Sequence, residues 1–472
     1  MTRRLAPSLF LAGAAILAGA ALAGCGGGGG SAAGSDSAAP IVPATAPVFL
    51  SFDTDLSSRQ IVRIDTLLKK FPVRDRLLSY LRTAITSDGT NLKGLMRSVG
   101  PEVDIAVLDV DRGTTVGFTK PTDEKLFERS LLAGQTKFEF DHVHGWLVFS
   151  DDKKALDDVK HADAKLGDDQ TYMDATADLP DEALATAYVA RGAVAQGLRT
   201  LGPAGVTINA DNAKWVTAAA LAHDKGVEVQ VNVHGKNVLG GAKNFKSTLA
   251  ADVPAGALAT LSFNDAGSAI GKLQGSGIPG LGNIRQTIGI DLDQLAQILD
   301  DEAIVYVRAG NPIPEVTLVA KEGDPEGAKR TVGALVRKLG ANARTSTTDV
   351  DGVKLTVVEL GSVSIFYGTF DGKLIVTDDS NAVRDFRGGG DKLKDDKTFT
   401  DATDAAGLPE STNGWLYLDL KDAIPVVDAL VQLGGTKIPG VVADNLRPLR
   451  SFVAYASRSG DTETIKLFLA TN

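Results

Sequence analysis

The stretch GWLVFSDDKKALDDV, Gly145 to Val159, has a counterpart in GKLIVTDDSNAVRDF, Gly372 to Phe386. Each reads as a short apolar strand that stops at an acidic pair, Asp151-Asp152 or Asp378-Asp379, and turns into an amphipathic run. The match continues without a gap, because LGDDQTYMDAT from Leu166 aligns with LKDDKTFTDAT from Leu393, so that Asp168-Asp169 answers Asp395-Asp396. Further out, Val42-Pro43-Ala44 with Leu50-Ser51-Phe52 corresponds to Val253-Pro254-Ala255 with Leu261-Ser262-Phe263, and Pro180 and Tyr188 correspond to Pro409 and Tyr417. WVTAAALAHDKGVEVQVNV from Trp215 and FVAYASRSGDTETIKLFLA from Phe452 close the two copies. A unit of about 200 residues is a duplicated domain, too long for a solenoid repeat.

Local patterns say what each copy contains. Ala328, Val332, Leu335, Val336 and Leu339 fall on one helical stripe, with Asp324 placed to cap it, Pro325 in the first turn and Gly340 at the stop. Ala303–Ala309, AIVYVRA, and Val363–Thr377, VSIFYGTFDGKLIVT, are rich in β-branched residues, the latter with Asp371-Gly372 as a hairpin turn. The second copy has an added hairpin in TTDVDGVKLTVVEL, residues 347–360. Tight turns between neighbouring strands imply antiparallel pairing. The expected fold class is therefore α+β: two tandem copies of an antiparallel sheet with helices packed on one face, copy 1 over residues 47–236 and copy 2 over 237–472.

The chain begins with Arg3 and Arg4, then an uncharged Ala-, Leu- and Gly-rich stretch from Leu5 to Gly24. That is the profile of a signal peptide. Its end, Leu22-Ala23-Gly24-Cys25, resembles the lipobox of bacterial lipoproteins. The resemblance implies that residues 1–24 are removed by cleavage between Gly24 and Cys25, and that Cys25 is lipidated at its thiol. Cys25 is the sole cysteine, so the body contains no disulfide and depends on packing. Residues 25–46 show no hydrophobic periodicity and read as a flexible Gly/Ser/Ala/Pro tether, with a reach of roughly 25 Å.

Net charge narrows the partners. The chain is formally −10, and loss of Arg3 and Arg4 leaves about −12. An acidic body argues against nucleic acid and against electrostatic adhesion to anionic lipid.

The lipobox and tether, an opening strand, a Leu-rich helix ending in Phe71-Pro72, the strand closing on Asp-Asp, and the Leu166 and Leu393 segments resemble the bacterial family called domain of unknown function 3352. Phe71-Pro72 has no counterpart in the second copy. The resemblance covers most of the body and implies a cell-envelope protein without an assigned activity, so it supplies no site residues.

The residues offer little chemistry of their own. His142 and His144 alternate on an expected strand, but the second copy has Thr369 and Asp371 there and no third ligand lies near. His161, His223 and His234 are isolated. The recurring Asp pairs fit helix capping, and Asp349-Val350-Asp351-Gly352 is only a fragment of a calcium loop. Ser150-Asp151-Asp152-Lys153 matches Ser-x-x-Lys, but the Ser ends a strand and no Lys-Thr-Gly accompanies it. Gly275-Ser276-Gly277 and Gly388-Gly389-Gly390 are loop glycines outside any nucleotide-binding turn. No catalytic residue, metal ligand or cofactor is assigned.

The sequence thus leads to an extracytoplasmic lipoprotein, anchored to the cell membrane through Cys25, that binds or scaffolds an envelope protein and is not an enzyme. One alternative is a carrier of lipid or another hydrophobic ligand, which needs an apolar cavity between sheet and helices. The other is a cell-wall hydrolase, which needs a cleft holding a nucleophile and base or convergent acids.

Overall fold

Asp371 (φ 45°) and Gly372 (φ 71°) take the left-handed backbone that a two-residue hairpin requires, and Asp351 (φ 52°) with Gly352 (φ 80°) does the same. In the computed structural model these turns belong to one long antiparallel sheet. The structure describes residues 37–87, 89–194, 212–238, 243–265, 298–310, 313–339, 343–361 and 363–472. Among them the first strands are β1 (Val48–Asp53), β2 (Glu102–Asp109), β3 (Thr114–Thr119), β4 (Glu139–Val143), β5 (Trp146–Ser150), β6 (Ala185–Ala190), β7 (Ala213–His223) and β8 (Gly226–Gly235). They continue with β9 (Ala257–Phe263), β10 (Ala303–Arg308), β11 (Glu315–Lys321), β12 (Arg344–Val350) and β13 (Val353–Leu360). The last are β14 (Val363–Phe370), β15 (Lys373–Thr377), β16 (Gly414–Asp419), β17 (Leu449–Ser459) and β18 (Thr462–Thr471).

The pairing order is β4-β5-β3-β2-β1-β6-β7-β8. It then passes from β8 to β18 and runs β18-β17-β16-β9-β10-β11-β15-β14-β13-β12. Every pair is antiparallel. The added hairpin is present as β12 and β13 at one edge. Among the described residues the sheet is open, with β4 and β12 as its ends, and β8 and β18 join its two halves from Gly226↔Ala470 to His234↔Thr462.

Directly paired residues project to the same side of a sheet. One face therefore runs through Tyr417, Val453, Phe468, Glu228 and Leu221. The opposite face runs through Leu418, Phe452, Leu469, Val227 and Ala222. The first carries two aromatic cores. In one, Tyr172 sits between Phe49 and Tyr188, at centroid distances of 6.1 and 5.1 Å. In the other, Phe399 sits between Trp415 and Tyr417, at 5.7 and 5.0 Å. Helix Lys397–Ala406 covers this face with Ala402 and Ala406.

Helix Arg59–Leu68 covers the other face, packing Ile61 and Leu67 on Ala222 and Val227. The expectation of helices on one face only is thus corrected. The half-polar strands invited it, because their alternation looks like a sheet with one wet side.

The expectation of a flexible tether over residues 25–46 is likewise corrected for residues 37–46. Ala38, Ala39, Ile41, Val42 and Ala46 are buried among Phe49, Phe118 and Trp146. The segment is held by Leu166 N–H donating to Val42 O at 2.8 Å and Gly167 N–H to Ala39 O at 2.8 Å. Small residues and Pro mimic a linker in composition, yet here they fit a close approach to Gly167, where a Cβ would meet Pro40 N at 2.9 Å. Gly24 and Cys25 lie outside the described residues, as do residues 26–36. Among the described residues no helix is long and apolar enough to cross a membrane.

Candidate functional site

The second face of the sheet is apolar and incompletely covered. Leu261, Leu416, Ala454, Leu467, Val229 and Ala220 line up across six strands by direct pairing. All of them are half-buried except Leu261, which is 41 % exposed. Over the part of this row on β9, β16 and β17 runs helix Leu420–Leu433, LKDAIPVVDALVQL, started by Asp419 Oδ1 accepting from Asp422 N at 3.1 Å. The helix lies against β9, β16 and β17, whose first face is already filled by Phe399, Ala402 and Ala406, so it covers the second. A helix docked closely on a sheet buries a continuous stripe. This one is apolar over most of its length and has no buried residue, and Val427 and Leu433 are 50 % and 70 % exposed. The arrangement leaves aliphatic surface on both helix and sheet that an apolar molecule can contact.

Two polar constellations lie on the opposite, first face of the sheet. Where β8 meets β18, Glu228 accepts from Lys466 Nζ at 2.9 Å and lies 3.0 Å from His223 Nε2. Burial pushes this carboxyl up, but His223 and Lys466 outweigh it and hold Glu228 below the usual range. Beside it Thr464 Oγ1 donates to Asn232 Oδ1 at 2.9 Å, and His234 stacks on Trp215 at 4.9 Å. These contacts need β8 and β18 in one register, so they specify how the two halves join.

The second constellation is a set of acids on β1 and β2. Asp53, Glu102 and Asp104 are buried, with Ser51 Oγ donating to Glu102 Oε1 at 2.7 Å and Ser58 Oγ to Asp53 Oδ2 at 2.5 Å. Ala38 N–H donates to Asp104 Oδ2 at 2.6 Å, which ties the segment before β1 to the sheet. Burial pushes Asp53 up to about 7. Burial, with the neighbouring Glu102 charge, raises Asp104 well above the carboxylate range. Glu302, paired in register one residue before Ala303 on β10, does related work. It accepts from Thr248 N at 2.6 Å and Leu249 N at 2.8 Å and pairs with Lys321 at 2.8 Å. Burial pushes Glu302 up, but Lys321 and the donors around Leu249 outweigh it and hold the carboxyl low.

The acids singled out by their recurrence serve as caps. Asp152 accepts from Lys154 N at 2.9 Å, Asp169 from Tyr172 N at 2.9 Å and Asp396 from Thr398 N at 2.8 Å. Asp379 accepts from Asn381 N at 2.9 Å, whereas Asp378 turns to β11 and accepts from Val316 N at 2.7 Å. Ser150 is fully buried and donates to Thr115 O at 2.7 Å. His142 lies 3.1 Å from Glu124. His144 is not on the strand as expected: it occupies the turn after β4 with φ 47°, ahead of Gly145 at φ 83°. Asp351 occupies the equivalent turn of the added hairpin and faces Arg384 at 3.1 Å. Gly275-Ser276-Gly277 lies outside the described residues.

The buried acids were missed because Glu102-Val103-Asp104-Ile105 alternates like a strand with a wet face. One signal was available, since Glu102 and Glu302 each open an apolar strand that pairs with a Leu-Ser-Phe strand.

No curated protein matches the chain. Three crystal forms of TP0453 show distant likeness. Form IV is 14 % identical with a TM-score of 0.27, covering 47 % of this chain and 92 % of that one. Form III is 12 % identical with a TM-score of 0.26, covering 47 % and 93 %. Form I is 12 % identical with a TM-score of 0.25, covering 48 % and 95 %. The family described as "Protein of unknown function (DUF3352)" matches residues 135–471, more than two thirds of the chain, and the protein belongs to that family.

Proposed function

We propose that the protein is an extracytoplasmic lipoprotein, anchored through Cys25, whose body binds a lipid or another apolar ligand between helix Leu420–Leu433 and the sheet face marked by Leu261 and Leu416. The observation that carries this is an apolar helix of fourteen residues lying on an aliphatic sheet face without one buried side chain. The body is read as two tandem copies of one module, supported by the aligned motifs and by β1-β2-β3-β5-β4 and β9-β10-β11-β15-β14 pairing in the same order. The lipobox-like end of the leader and the segment Gly26–Asp36 support the anchor.

Titration of a fluorescent phospholipid tests the reading. Saturable binding is expected, and Leu261→Glu or Val427→Glu, both at exposed positions, should abolish it without changing the far-ultraviolet circular dichroism. Saturable binding that survives both substitutions places the ligand elsewhere, and no binding at all refutes the carrier role. Incorporation of radiolabelled palmitate that persists in Cys25→Ala would refute the anchor.

A second reading, a scaffold for an envelope protein, is favoured by the open sheet edge at β4, which exposes strand residues His142 and Glu139. Crosslinking in cells from position 139 should then trap one protein reproducibly, and the carrier reading predicts that it does not.

A further inference from the structure

The overall acidity of the chain hides a local reversal. Residues 59–86 contain seven Lys or Arg against Asp65 and Asp75, and residues 434–450 contain three against Asp444. The fold brings these two segments together from opposite ends of the chain. Val73 N–H donates to Asn445 Oδ1 at 2.7 Å, and Lys70 Nζ donates to Thr471 Oγ1 at 3.1 Å.

The same place is apolar and exposed. Leu77 and Tyr80 follow Val73 by one and two turns on helix Arg74–Thr86 and are 42 % and 72 % exposed. Val441 and Val442 precede Asn445 by one turn on helix Gly440–Leu446 and are 54 % and 47 % exposed. Residues three or four apart share a helix face. The Val73–Asn445 contact therefore sets the two exposed pairs on either side of one junction. Arg76, Arg82 and Lys437 are exposed around it. Of the acids nearby, Asp65 pairs with Arg74 at 2.7 Å and Asp444 with Arg447 at 3.0 Å, while Asp75 is 3.3 Å from Arg74.

We infer that this face, apolar at its centre and cationic at its rim, docks the body onto an anionic lipid surface. Aromatic and aliphatic side chains rimmed by Lys and Arg are what an interfacial helix needs to enter the headgroup layer, and neither helix is long enough to cross it. The inference rests on the membrane-anchored reading for its setting. On that reading the dozen or so residues from Cys25 to Ser37 would hold the body within a few tens of ångströms of the bilayer, so that even a weak surface contact would be populated. Docking would also bring helix Leu420–Leu433, joined to helix Gly440–Leu446 by residues 434–439, to the source of an acyl ligand.

The test is flotation of the chain from Gly26 onward, which lacks the lipid anchor, with phosphatidylcholine vesicles and with vesicles enriched in phosphatidylglycerol. Binding to the anionic vesicles alone, lost at high salt, is expected. Arg76→Gln/Arg82→Gln/Lys437→Gln should weaken it roughly a hundredfold. Tyr80→Ser/Val442→Ser should weaken it with the salt dependence retained. Binding that ignores lipid charge, or that survives both variants, overturns the inference. So does self-association through Tyr80 and Val442 without lipid, which would assign the face to a second copy of the chain. Phospholipid titration of the same variants separates the two claims: the surface changes should leave ligand binding intact, and its loss in Leu261→Glu alone concerns the carrier site.

Discussion

Replacing Asp53 with Asn should stabilise the protein at neutral and alkaline pH and do almost nothing below about pH 4. Asp53 has no exposed surface, and its carboxyl is pushed from 3.8 up to about 7, with burial as the largest cause. The folded protein thus holds a proton that the unfolded chain gives up near 3.8. Between those values the native state binds more protons, so stability contributed by the neutral acid is present below 3.8 and is lost as pH rises through about 7. A shift of about three units corresponds to about 4 kcal/mol at 1.36 kcal/mol each, and relaxation of Ser58 and Asp55 toward the charge reduces that to about 2–4 kcal/mol. Asn keeps an acceptor for Asp55 N–H, which lies 2.9 Å from Oδ1, and offers Ser58 a donor in place of Oδ2. Asn264 follows Ser262-Phe263 in the second half as Asp53 follows Ser51-Phe52. Urea unfolding at pH 5 and pH 8 measures the effect. The variant should gain on the wild type by about 2 kcal/mol or more between the two pH values. An equal difference at both would refute the buried-acid argument.

Glu302→Ala should cost about 3 kcal/mol at neutral pH, because Lys321 and the N–H groups of Thr248 and Leu249 lose their acceptor together. Since Glu302 is held below 4.5, its contribution is present above that value and lost as pH falls through the lower folded value, so acid unfolding monitored by circular dichroism should show the wild type converging on the variant. Asp396→Ala, which removes the cap on Thr398 N, should cost about 1 kcal/mol in urea unfolding, and an effect near zero would contradict the capping role. Gly372→Val forces a β-branched residue to φ 71° and should lower the melting temperature by several degrees, whereas the same change at Gly389, which has open space around it, should be milder.

Features governed by neighbouring residues were legible in the sequence. Asp371-Gly372 forms the expected turn, the expected added hairpin turns at Asp351-Gly352, Asp324 caps the helix Pro325–Leu339 through Gly327 N at 2.9 Å, and Asp152, Asp169 and Asp396 cap as their recurrence implied. Features decided by distant chain were not. Nothing local in Gly226–Gly235 announces that it pairs with Thr462–Thr471. The alternation of Glu102 and Asp104 with Val103 and Ile105 describes a strand correctly but cannot reveal that residues 37–46 cover its polar side. Composition misled for the same reason at Ala38–Ala46, where small residues fill a tight space. Net charge, as an average over the chain, carries no information on the basic segments that the Val73–Asn445 contact brings together.

The carrier role is tested most directly by native mass spectrometry of the chain from Gly26 onward, purified without detergent after contact with membranes. The account predicts an added mass in the range of a lipid, released into organic solvent and absent from Leu261→Glu. A bare polypeptide mass in the wild type after the same contact would contradict it.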